Sequence, residues 1–296
     1  MFRAQKGGIM FRCGRVLVAA LFGGSLLVPA AQAGAAAQNN WLLFYRSTPA
    51  PTAFRATDSA GVYTPKGSTT FVPKGVTKIA ISRDSMLMYD RTTGVGITGT
   101  FKAGVFTKKH TYTFAKNIRS IAAGCNTAAL LQPDDADVML GSLVNGAFVF
   151  TGTFGSSVVT QLVASCDTVL GYNQVTGDGY AVKVSNGNPI GRHPTNYTFS
   201  TGWSSIAATD DSVLFYNETN GVGAWGTLQG GQFAQTGSSA GFATGISAIG
   251  ADANSLFFYS RGSAVGATAT LAAGYYAFAH QYSGLAANWD LILGGK

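Results

Sequence analysis

Acidic side chains are scarce in this 296-residue sequence, and their scarcity limits the chemistry it can perform. It has 13 acidic residues, of which Glu218 is the one glutamate. A pair of catalytic carboxylates would have to be aspartates, and most of these lie in predicted hairpin turns, where solvent keeps them ordinary bases. Phosphate-binding loops, zinc-protease motifs, Cys-x-x-Cys pairs and Gly-x-Ser-x-Gly elbows are absent too. We therefore predict a protein that is not an enzyme and needs no cofactor.

Charged and helix-forming residues are also sparse. Charged residues make up 11% of the sequence, hydrophobic residues make up 46%, and 39 positions are glycine. No long stretch places Glu, Lys and Leu at helical spacing, whereas Thr, Val, Phe, Tyr and Gly dominate. Such a composition favours short strands joined by tight turns, so the sequence predicts an all-β protein.

The longest apolar run is too short to span a bilayer comfortably. It covers the 13 residues Val16–Val28, follows four basic residues and precedes the small-x-small motif Ala31–Ala33. This order is the pattern of a secretory signal. We predict that residues 1–33 are a signal peptide cleaved after Ala33, and that residues 34–296 form a single domain. The mature chain would be secreted or periplasmic, with no membrane span.

Without residues 1–33, the excess of positive charge almost disappears. The mature chain carries 16 basic and 13 acidic side chains, which removes the main argument for nucleic-acid binding. The remaining charge is uneven, because residues 34–122 hold 12 basic and 3 acidic side chains while residues 123–296 hold 4 and 10. Two interpretations stay open: one side of the molecule is cationic, or scattered Lys and Arg keep strand faces soluble.

A tyrosine that ends an apolar, strand-like segment recurs through the chain, with gaps of 44, 83, 44 and 43 residues. The gap of 83 equals two units and places a sixth copy, without its tyrosine, at Gln132. Ten residues earlier, an aliphatic residue followed by small residues also recurs, with an offset of one at Ile121. The sequence therefore predicts six repeats of about 43 residues. The tyrosines are Tyr45, Tyr89, Tyr172, Tyr216 and Tyr259, and the regular aliphatic positions are Ile79, Leu162, Ile206 and Ile249.

The first repeat lacks its opening segment, and the C-terminus supplies one. Trp289 and Ile292 have the spacing of Trp203 and Ile206. A unit that begins incomplete and is finished by the other end of the chain describes a closed ring. We predict a six-bladed β-propeller of four-stranded blades, closed by the C-terminal strand joining the N-terminal blade.

The clearest repeat orders the strands within a blade. Small residues at Ser205–Thr209 suit an innermost strand, and the segment from Ser212 to Tyr216 is the second. The turn Asn217–Gly221, which recurs at Asp90–Gly94 and Asn173–Gly177, then leads to a third strand and an outer fourth one. An Asx residue followed by a glycine at a left-handed position is a hairpin requirement, so we interpret these residues as structural.

The Trp-x-x-Ile-Ala phrase at Trp203–Ala207 and the Leu-Phe-Tyr-Asn-x-x-x-Gly phrase at Leu214–Gly221 resemble those of secreted β-propellers in the tectonin and tachylectin-like lectin group. The resemblance implies sugar sites between blades or at loops on one face. Aromatic rings could stack on such sugars, but most aromatics at strand period belong to the core between blades. The candidate ligand-binding residues are Trp203, Trp225, Arg192, His193 and Tyr197.

Three histidines occupy alternate repeats, each 21 residues after a repeat tyrosine: His110, His193 and His280. Imidazoles related by a pseudo-threefold axis could bind a metal on that axis. The predicted strand order instead places them near the outermost strand, where they would be separate surface residues.

Two further clusters have two interpretations each. Cys125 and Cys166 each follow an innermost strand, and they form either a disulfide, which requires them to lie very near the axis, or two buried thiols. The carboxylates of Asp134, Asp135 and Asp137 either hold Ca²⁺ or lie in a solvated turn. No metal site is predicted from either cluster.

These observations predict a secreted binding protein, with carbohydrate as the leading class of ligand. The first alternative is a protein-interaction or structural propeller that holds a partner on one face. The second is a propeller enzyme, whose site would need an axial cluster that the sequence does not reveal. The expected partners are glycans or a protein, and not nucleic acid.

Overall fold

The structure is a computed structural model that describes residues 41–47, 51–133, 137–155 and 159–295, apart from the side chains of Arg192 and His193. The predicted signal peptide lies outside the described residues, as do Asp134 and Asp135. Within the described ranges, no helix has the length and apolar character that crossing a membrane requires.

The described chain is built from β-strands, which form six antiparallel four-stranded sheets. This confirms the predicted six-bladed β-propeller. In chain order the strands are β1 (Trp41–Arg46), β2 (Thr52–Ser59), β3 (Val62–Thr69), β4 (Lys78–Ile81), β5 (Ser85–Tyr89), β6 (Val95–Lys102), β7 (Val105–Thr113), β8 (Ser120–Ala123), β9 (Thr127–Leu131), β10 (Asp137–Val144), β11 (Ala147–Gly155), β12 (Gln161–Ala164), β13 (Thr168–Tyr172), β14 (Asp178–Ser185), β15 (Asn188–Thr198), β16 (Ser205–Ala208), β17 (Ser212–Asn217), β18 (Val222–Gln229), β19 (Gln232–Ser239), β20 (Ala248–Ala251), β21 (Ser255–Ser260), β22 (Val265–Ala272), β23 (Tyr275–Tyr282) and β24 (Leu291–Gly294).

The ring closes as predicted, because blade 1 combines the C-terminal strand β24 with β1, β2 and β3. In this pairing Tyr45 lies opposite Leu291, and Leu42 lies opposite Gly294. Blades 2 to 6 are β4–β7, β8–β11, β12–β15, β16–β19 and β20–β23. The first strand of each blade contacts the first strands of both neighbouring blades, so β24, β4, β8, β12, β16 and β20 surround the axis.

The second strand of each blade is buried on both faces, because neighbouring blades pack against it from either side. Every residue of β5, β9 and β13 is buried. At the seam between blades 1 and 2, for example, Leu43 and Tyr45 pack with Ile79 and Ile81 in one apolar cluster. Burial on both faces explains why the repeat is a continuous apolar segment and not an alternating one.

The repeated tyrosine ties its blade to the loop that leads into the next. The Tyr216 hydroxyl donates to the Ala243 carbonyl at 2.6 Å and accepts from the Ile246 N–H at 3.3 Å. A buried hydroxyl that satisfies two peptide groups of a loop fixes the position of that loop. The hydroxyls of Tyr45, Tyr89, Tyr172 and Tyr259 also donate to carbonyls of the following loop.

The sixth copy of this position is Leu131, and the predicted position, Gln132, is wrong. Leu131 pairs with Ser120 on the inner strand just as Tyr89 pairs with Lys78. With this correction Ile121 falls ten residues before its anchor, like the other aliphatic positions, and needs no offset. Equal spacing placed the copy one residue late, because Leu131 lies 42 residues after Tyr89 and 41 before Tyr172, whereas the other repeat tyrosines are 43 or 44 residues apart.

The predicted hairpin turns have the expected geometry. The Asn217 carboxamide oxygen accepts from the Thr219 N–H at 3.0 Å, and Gly221 has a φ of 67°. The carboxylate of Asp90 accepts in the same way from the Thr92 N–H at 2.8 Å. These Asx residues therefore stabilise turns, in keeping with the structural role predicted for them.

A second set of polar residues forms hydrogen bonds from blades 2, 4 and 5 to the blade that follows each of them. The Asp211 carboxylate accepts from the Ala273 N–H at 3.0 Å, and the neighbouring Ser212 hydroxyl accepts from the Gly274 N–H at 2.8 Å. The pairs Asp84–Ser85 and Asp167–Thr168 make the same contacts with the blade that follows each of them. These aspartates hold the seams together, so their carboxylates are engaged in the fold.

Candidate functional site

Two rings of residues surround the axis, one at each end of the inner strands. The strand-end ring consists of the second residue after each inner strand: Arg83, Cys125, Cys166, Asp210 and Ala253. The sixth member, Lys296, lies outside the described residues. The strand-start mouth consists of the first residue of each inner strand: Lys78, Ser120, Gln161, Ser205, Ala248 and Leu291. Because propeller sites form where loops of different blades converge on the axis, these two rings are the places to examine.

The strand-end ring is drawn together by covalent and hydrogen bonds. Cys125 and Cys166 form a disulfide whose Cα atoms are 4.4 Å apart, which requires both residues to lie beside the axis. The backbone N–H of Cys166 donates to the Asp210 carbonyl at 2.9 Å, and the N–H of Asp210 donates to the Ala253 carbonyl at 2.9 Å. This end of the axis is therefore narrow, and the oxidised cysteines have no thiolate to offer a metal.

Charged side chains flank the disulfide in the strand-end ring. The Arg83 guanidinium lies 3.3 Å from Cys125 Sγ, and a carboxylate oxygen of Asp210 lies 3.8 Å from the same sulfur. Cys125, Cys166 and Asp210 would form a three-ligand group in the reduced protein. With the disulfide in place, however, this group is a covalent link between blades 3 and 4.

Side chains of the strand-start mouth reach across the seams between blades. The Ser120 hydroxyl accepts from the Leu162 N–H at 3.0 Å, and the Gln161 carboxamide donates to the Trp203 carbonyl at 3.4 Å. Each of these residues thus contacts the following blade. Lys78 occupies the same position in β4, and strand alternation directs it away from the cluster of Ile79 on blade 1 and toward blade 3.

Lys78, Arg91 and Arg119 form a group that we call the cationic trio. The Arg91 carbonyl accepts from the Asn117 N–H at 3.1 Å, so the turn that carries Arg91 contacts the segment that carries Arg119. Burial lowers the pKa of Lys78, and the positive charge of Arg91 lowers it further. None of the three forms an ion pair with any residue that the structure describes. Lys78 and Arg91 lie close enough for their charges to interact, and cations without a counter-ion favour the binding of an anion.

The charge at the mouth changes sign around the ring. Arg261 in blade 6 is already paired, since its guanidinium lies 3.4 Å from the Asp290 carboxylate. Burial would raise the pKa of Asp290, but hydrogen bonds from Ser47 and the charges of Arg261 and Arg46 outweigh it and hold that pKa below its usual value. Blades 4 and 5 place Gln174 and Glu218 where blade 2 has Arg91, so the unpaired cations lie on one side.

The aromatic residues named as sugar-binding candidates lie in the core between blades. Trp203 is 8% exposed and packs against Phe215 with a ring separation of 6.0 Å. Trp225 packs against Tyr276 at 5.1 Å. The Tyr197 hydroxyl accepts from the Phe233 N–H at 2.8 Å, and its ring stacks on Phe199. These rings stabilise seams and do not form an exposed stacking platform. Arg192 and His193 lie on the outer strand β15, and their side chains are not described.

The histidines and the acidic turn do not form a common site either. His110 and His280 are exposed on the outer strands β7 and β23, and His193 belongs to the outer strand β15. Outer strands lie at the perimeter of the ring, so His110 and His280 are on separate blades and away from the axis. Asp137 begins β10, while its predicted neighbours Asp134 and Asp135 are outside the described ranges.

Two signals in the sequence could have identified the strand-start mouth. The residue two positions after the repeat tyrosine varies between blades, as Arg91, Gln174, Glu218 and Arg261 show. The excess of basic residues in 34–122 also pointed to one cationic side. What the sequence could not show is that the turn of Arg91 in blade 2 contacts the segment of Arg119, which leads into blade 3.

Comparisons with known proteins support the fold. No protein-family model matches the chain, and no curated protein matches it significantly. Solved structures of similar fold include a Bacteroides uniformis protein named provisionally as a 6-phosphogluconolactonase, with a TM-score of 0.55 and 10% identity over 87% of this chain and 99% of that chain. The periplasmic gluconolactonase of Pseudomonas aeruginosa has a TM-score of 0.51 and 12% identity, over 82% of this chain and 83% of that one. A chain of a nidogen–laminin complex has a TM-score of 0.55 and 9% identity, over 87% of this chain and 98% of that one.

These neighbours overturn the prediction that the protein is not an enzyme, because two of the three are named as lactonases. That prediction relied on the absence of linear motifs. A propeller can assemble a site from loops of different blades, and no linear motif records such a site. The resemblance to the tectonin and tachylectin-like group holds at the level of the β-propeller fold, and nothing in the comparisons supports a lectin function.

Proposed function

We propose that this protein is a hydrolase of small anionic sugar lactones, with its site at the strand-start mouth. The observation that carries the proposal is the cationic trio of Lys78, Arg91 and Arg119, which has no counter-ion among the described residues. The lactonase names of two structural neighbours suggest the class of reaction. The trio suggests the charge of the substrate, because guanidinium groups bind phosphate and carboxylate with paired hydrogen bonds.

The reaction needs little covalent chemistry from the protein. Water adds to the lactone carbonyl, the ring C–O bond breaks, and a proton moves to the released hydroxyl, which leaves a carboxylate and a proton in solution. Negative charge develops on the carbonyl oxygen during the addition, and cations in a partly buried mouth stabilise it.

The test is a lactone-hydrolysis assay on the purified protein. Proton release from aldonolactones, with and without a phosphate group, is followed in a weakly buffered indicator solution, and the spontaneous rate is subtracted. We expect hydrolysis above the spontaneous rate, with a preference for the anionic substrate. Lys78→Gln and Arg91→Gln should each lower kcat/KM about 10- to 100-fold, which is the effect of losing one charged hydrogen bond in the transition state.

The matched control is Lys108→Gln, which removes the same charge from the exposed outer strand β7. It should leave kcat/KM unchanged. The proposal fails if the protein does not exceed the spontaneous rate with any aldonolactone. It also fails if Lys108→Gln lowers the activity as much as Lys78→Gln, since the effect would then reflect net charge and not a site.

A further inference from the structure

One seam of the propeller departs from the other five at two positions together. The first position closes the inner strand of a blade, and the second lies near the end of the third strand of the next blade. Around the ring the pairs are Ser82 with Leu143, Gly124 with Val184, Ser165 with Leu228, Thr209 with Leu271, Gly295 with Phe101 and Asp252 with Asp58. The seam between blades 6 and 1 therefore has a carboxyl group at both positions.

The two positions face each other across a seam. Between blades 2 and 3 the Ser82 hydroxyl lies 3.0 Å from the Leu143 carbonyl, so a side chain at the first position reaches the strand that carries the second. By this equivalence Asp252 of blade 6 faces Asp58 of blade 1. Burial raises the pKa of Asp252 well above its usual value, and the charge of Asp58 raises it further, as expected for carboxyl groups that face each other.

Both carboxyl groups are shielded from solvent and short of partners. Asp58 is 1% exposed and Asp252 is 0% exposed. One oxygen of Asp252 accepts from the N–H groups of Asn254 at 3.2 Å and Ser255 at 2.8 Å. Its other oxygen and both oxygens of Asp58 are buried without a hydrogen-bond partner in the described structure. Three buried carboxylate oxygens at this seam therefore lack a hydrogen-bond partner in the described structure.

A hydrogen bond that joins four other seams is also absent, among the described residues, from the seam between blades 6 and 1. At four seams, a Ser or Thr hydroxyl accepts from the N–H of the facing glycine, as Ser85 does from Gly146 at 2.8 Å. No such bond forms between Ser255 and Gly61 among the described residues. Asp58 lies between them instead, and the Gly61 N–H and Ser255 hydroxyl partly offset the effect of burial on its pKa without completing a regular hydrogen bond.

Two adjacent, buried carboxylates without a cation are unfavourable. An ionised group in an apolar interior costs several kcal/mol unless it is paired. No described lysine, arginine or histidine forms an ion pair with either residue. A nearby third carboxylate, that of Asp210, adds to the negative charge on Asp252. A positive ion between the three free oxygens would compensate their negative charge.

We propose that Asp58 and Asp252 bind a hard divalent cation such as Ca²⁺ between blade 6 and blade 1. Ions of this class take carboxylate oxygens as ligands, and the seam offers three that are free. The site would join the last complete blade to the one built from both chain ends, and would therefore strengthen the closure of the ring. This inference does not depend on the proposed lactonase activity, whose residues lie at the strand-start mouth.

The test measures metal binding and thermal stability of the mature protein. Protein treated with a chelator and then dialysed free of it is titrated with Ca²⁺, Mg²⁺ or Mn²⁺, with Na⁺ at matched ionic strength as the control. We expect one ion per chain by elemental analysis. We also expect a saturable rise in Tm of about 5 °C at a metal concentration 100 times Kd, because such binding stabilises by about 2.7 kcal/mol and each kcal/mol shifts Tm by about 2 °C in a domain of this size.

Three variants make the result specific. Asp252→Asn should lose the bound ion and the metal-dependent rise in Tm. The double variant Asp58→Leu with Asp252→Ser restores the residue types of the other seams, so it should fold, need no metal and show no response to it. Asp167→Asn, which changes a carboxylate that accepts hydrogen bonds across another seam, should keep the full response. The double variant also guards against a single variant that fails to fold.

The inference is overturned if no divalent ion binds near one per chain and none raises Tm between pH 6 and 8. It is also overturned if Asp252→Asn responds to the metal as the unchanged protein does. A metal-free protein whose stability depends on pH but on no cation would show that a shared proton, and not a metal, compensates the pair. Loss of the metal response with unchanged lactone hydrolysis would support the seam site and leave the proposed activity standing.

Discussion

The disulfide between Cys125 and Cys166 joins blades 3 and 4 beside the axis, and breaking it provides a quantitative test of the ring. The two residues are 41 positions apart, so the bond closes a loop that spans almost one repeat. In the chain-entropy treatment, a loop of this length restricts the unfolded state by about 4 kcal/mol at 25 °C. The double variant Cys125→Ala with Cys166→Ala should therefore unfold at a Tm about 8 °C lower.

The assay is urea unfolding followed by tryptophan fluorescence, with and without a reducing agent. Reduction should lower the free energy of unfolding of the unchanged protein by the same amount as the double variant, and should have no effect on the double variant itself. Titration of thiols in the denatured mature protein should find none before reduction and two after. Two titratable thiols before reduction, or a loss of stability below about 1 kcal/mol, would refute the reasoning.

Two further predictions concern buried polar groups. Tyr216→Phe removes the hydroxyl that serves Ala243 and Ile246, so it should lower the free energy of unfolding by about 2 to 3 kcal/mol, whereas Tyr275→Phe, at a ring that is 78% exposed, should change it by less than about 0.5 kcal/mol. Equal effects of the two variants in urea unfolding would contradict the role of the hydroxyl. Burial raises the pKa of Asp58 from 3.8 to about 6, so the folded state binds this proton more tightly than the unfolded state. The metal-free protein should therefore become more stable as pH falls from 7 toward 4. Protonation of Asp58 contributes about 3 kcal/mol, protonation of Asp252 adds to it because burial also raises the pKa of Asp252, and Asp58→Leu should reduce the gain. A stability independent of pH in chelator would contradict it.

The order of the strands and the number of blades could be predicted because the repeat records them directly. Five blades share the same tyrosine, and the Asx–Gly turn and the doubly buried second strand also recur, so local requirements appear along the chain in similar form. Closure by the C-terminal strand was predictable for the same reason, since Trp289 and Ile292 complete the pattern that the first unit lacks. The average repeat spacing placed the sixth copy at Gln132. The hydrogen bonds between β8 and β9 instead set Leu131 opposite Ser120, and residue spacing does not determine that register.

The candidate sites depend on contacts between blades, which a linear repeat does not record. The sequence offered Trp203 and Trp225 as candidate ligand-binding residues. It cannot distinguish an aromatic ring on an exposed loop from one packed between two blades. The prediction of no catalytic function failed for a related reason: the chain has no linear catalytic motif, but a propeller draws its site from several blades.

The sequence by itself determined the all-β class, the six repeats, the turns and the manner of closure, because these follow from local hydrogen bonding and from patterns repeated along the chain. Tertiary structure alone decided which departures from the repeat meet in space. It brought the turn of Arg91 in blade 2 into contact with the segment of Arg119 that leads into blade 3, and it placed Asp58 opposite Asp252 in a single seam. The physical reason is that charges interact through distance, and the distance between residues of different blades is set by the closed ring and not by their separation along the chain.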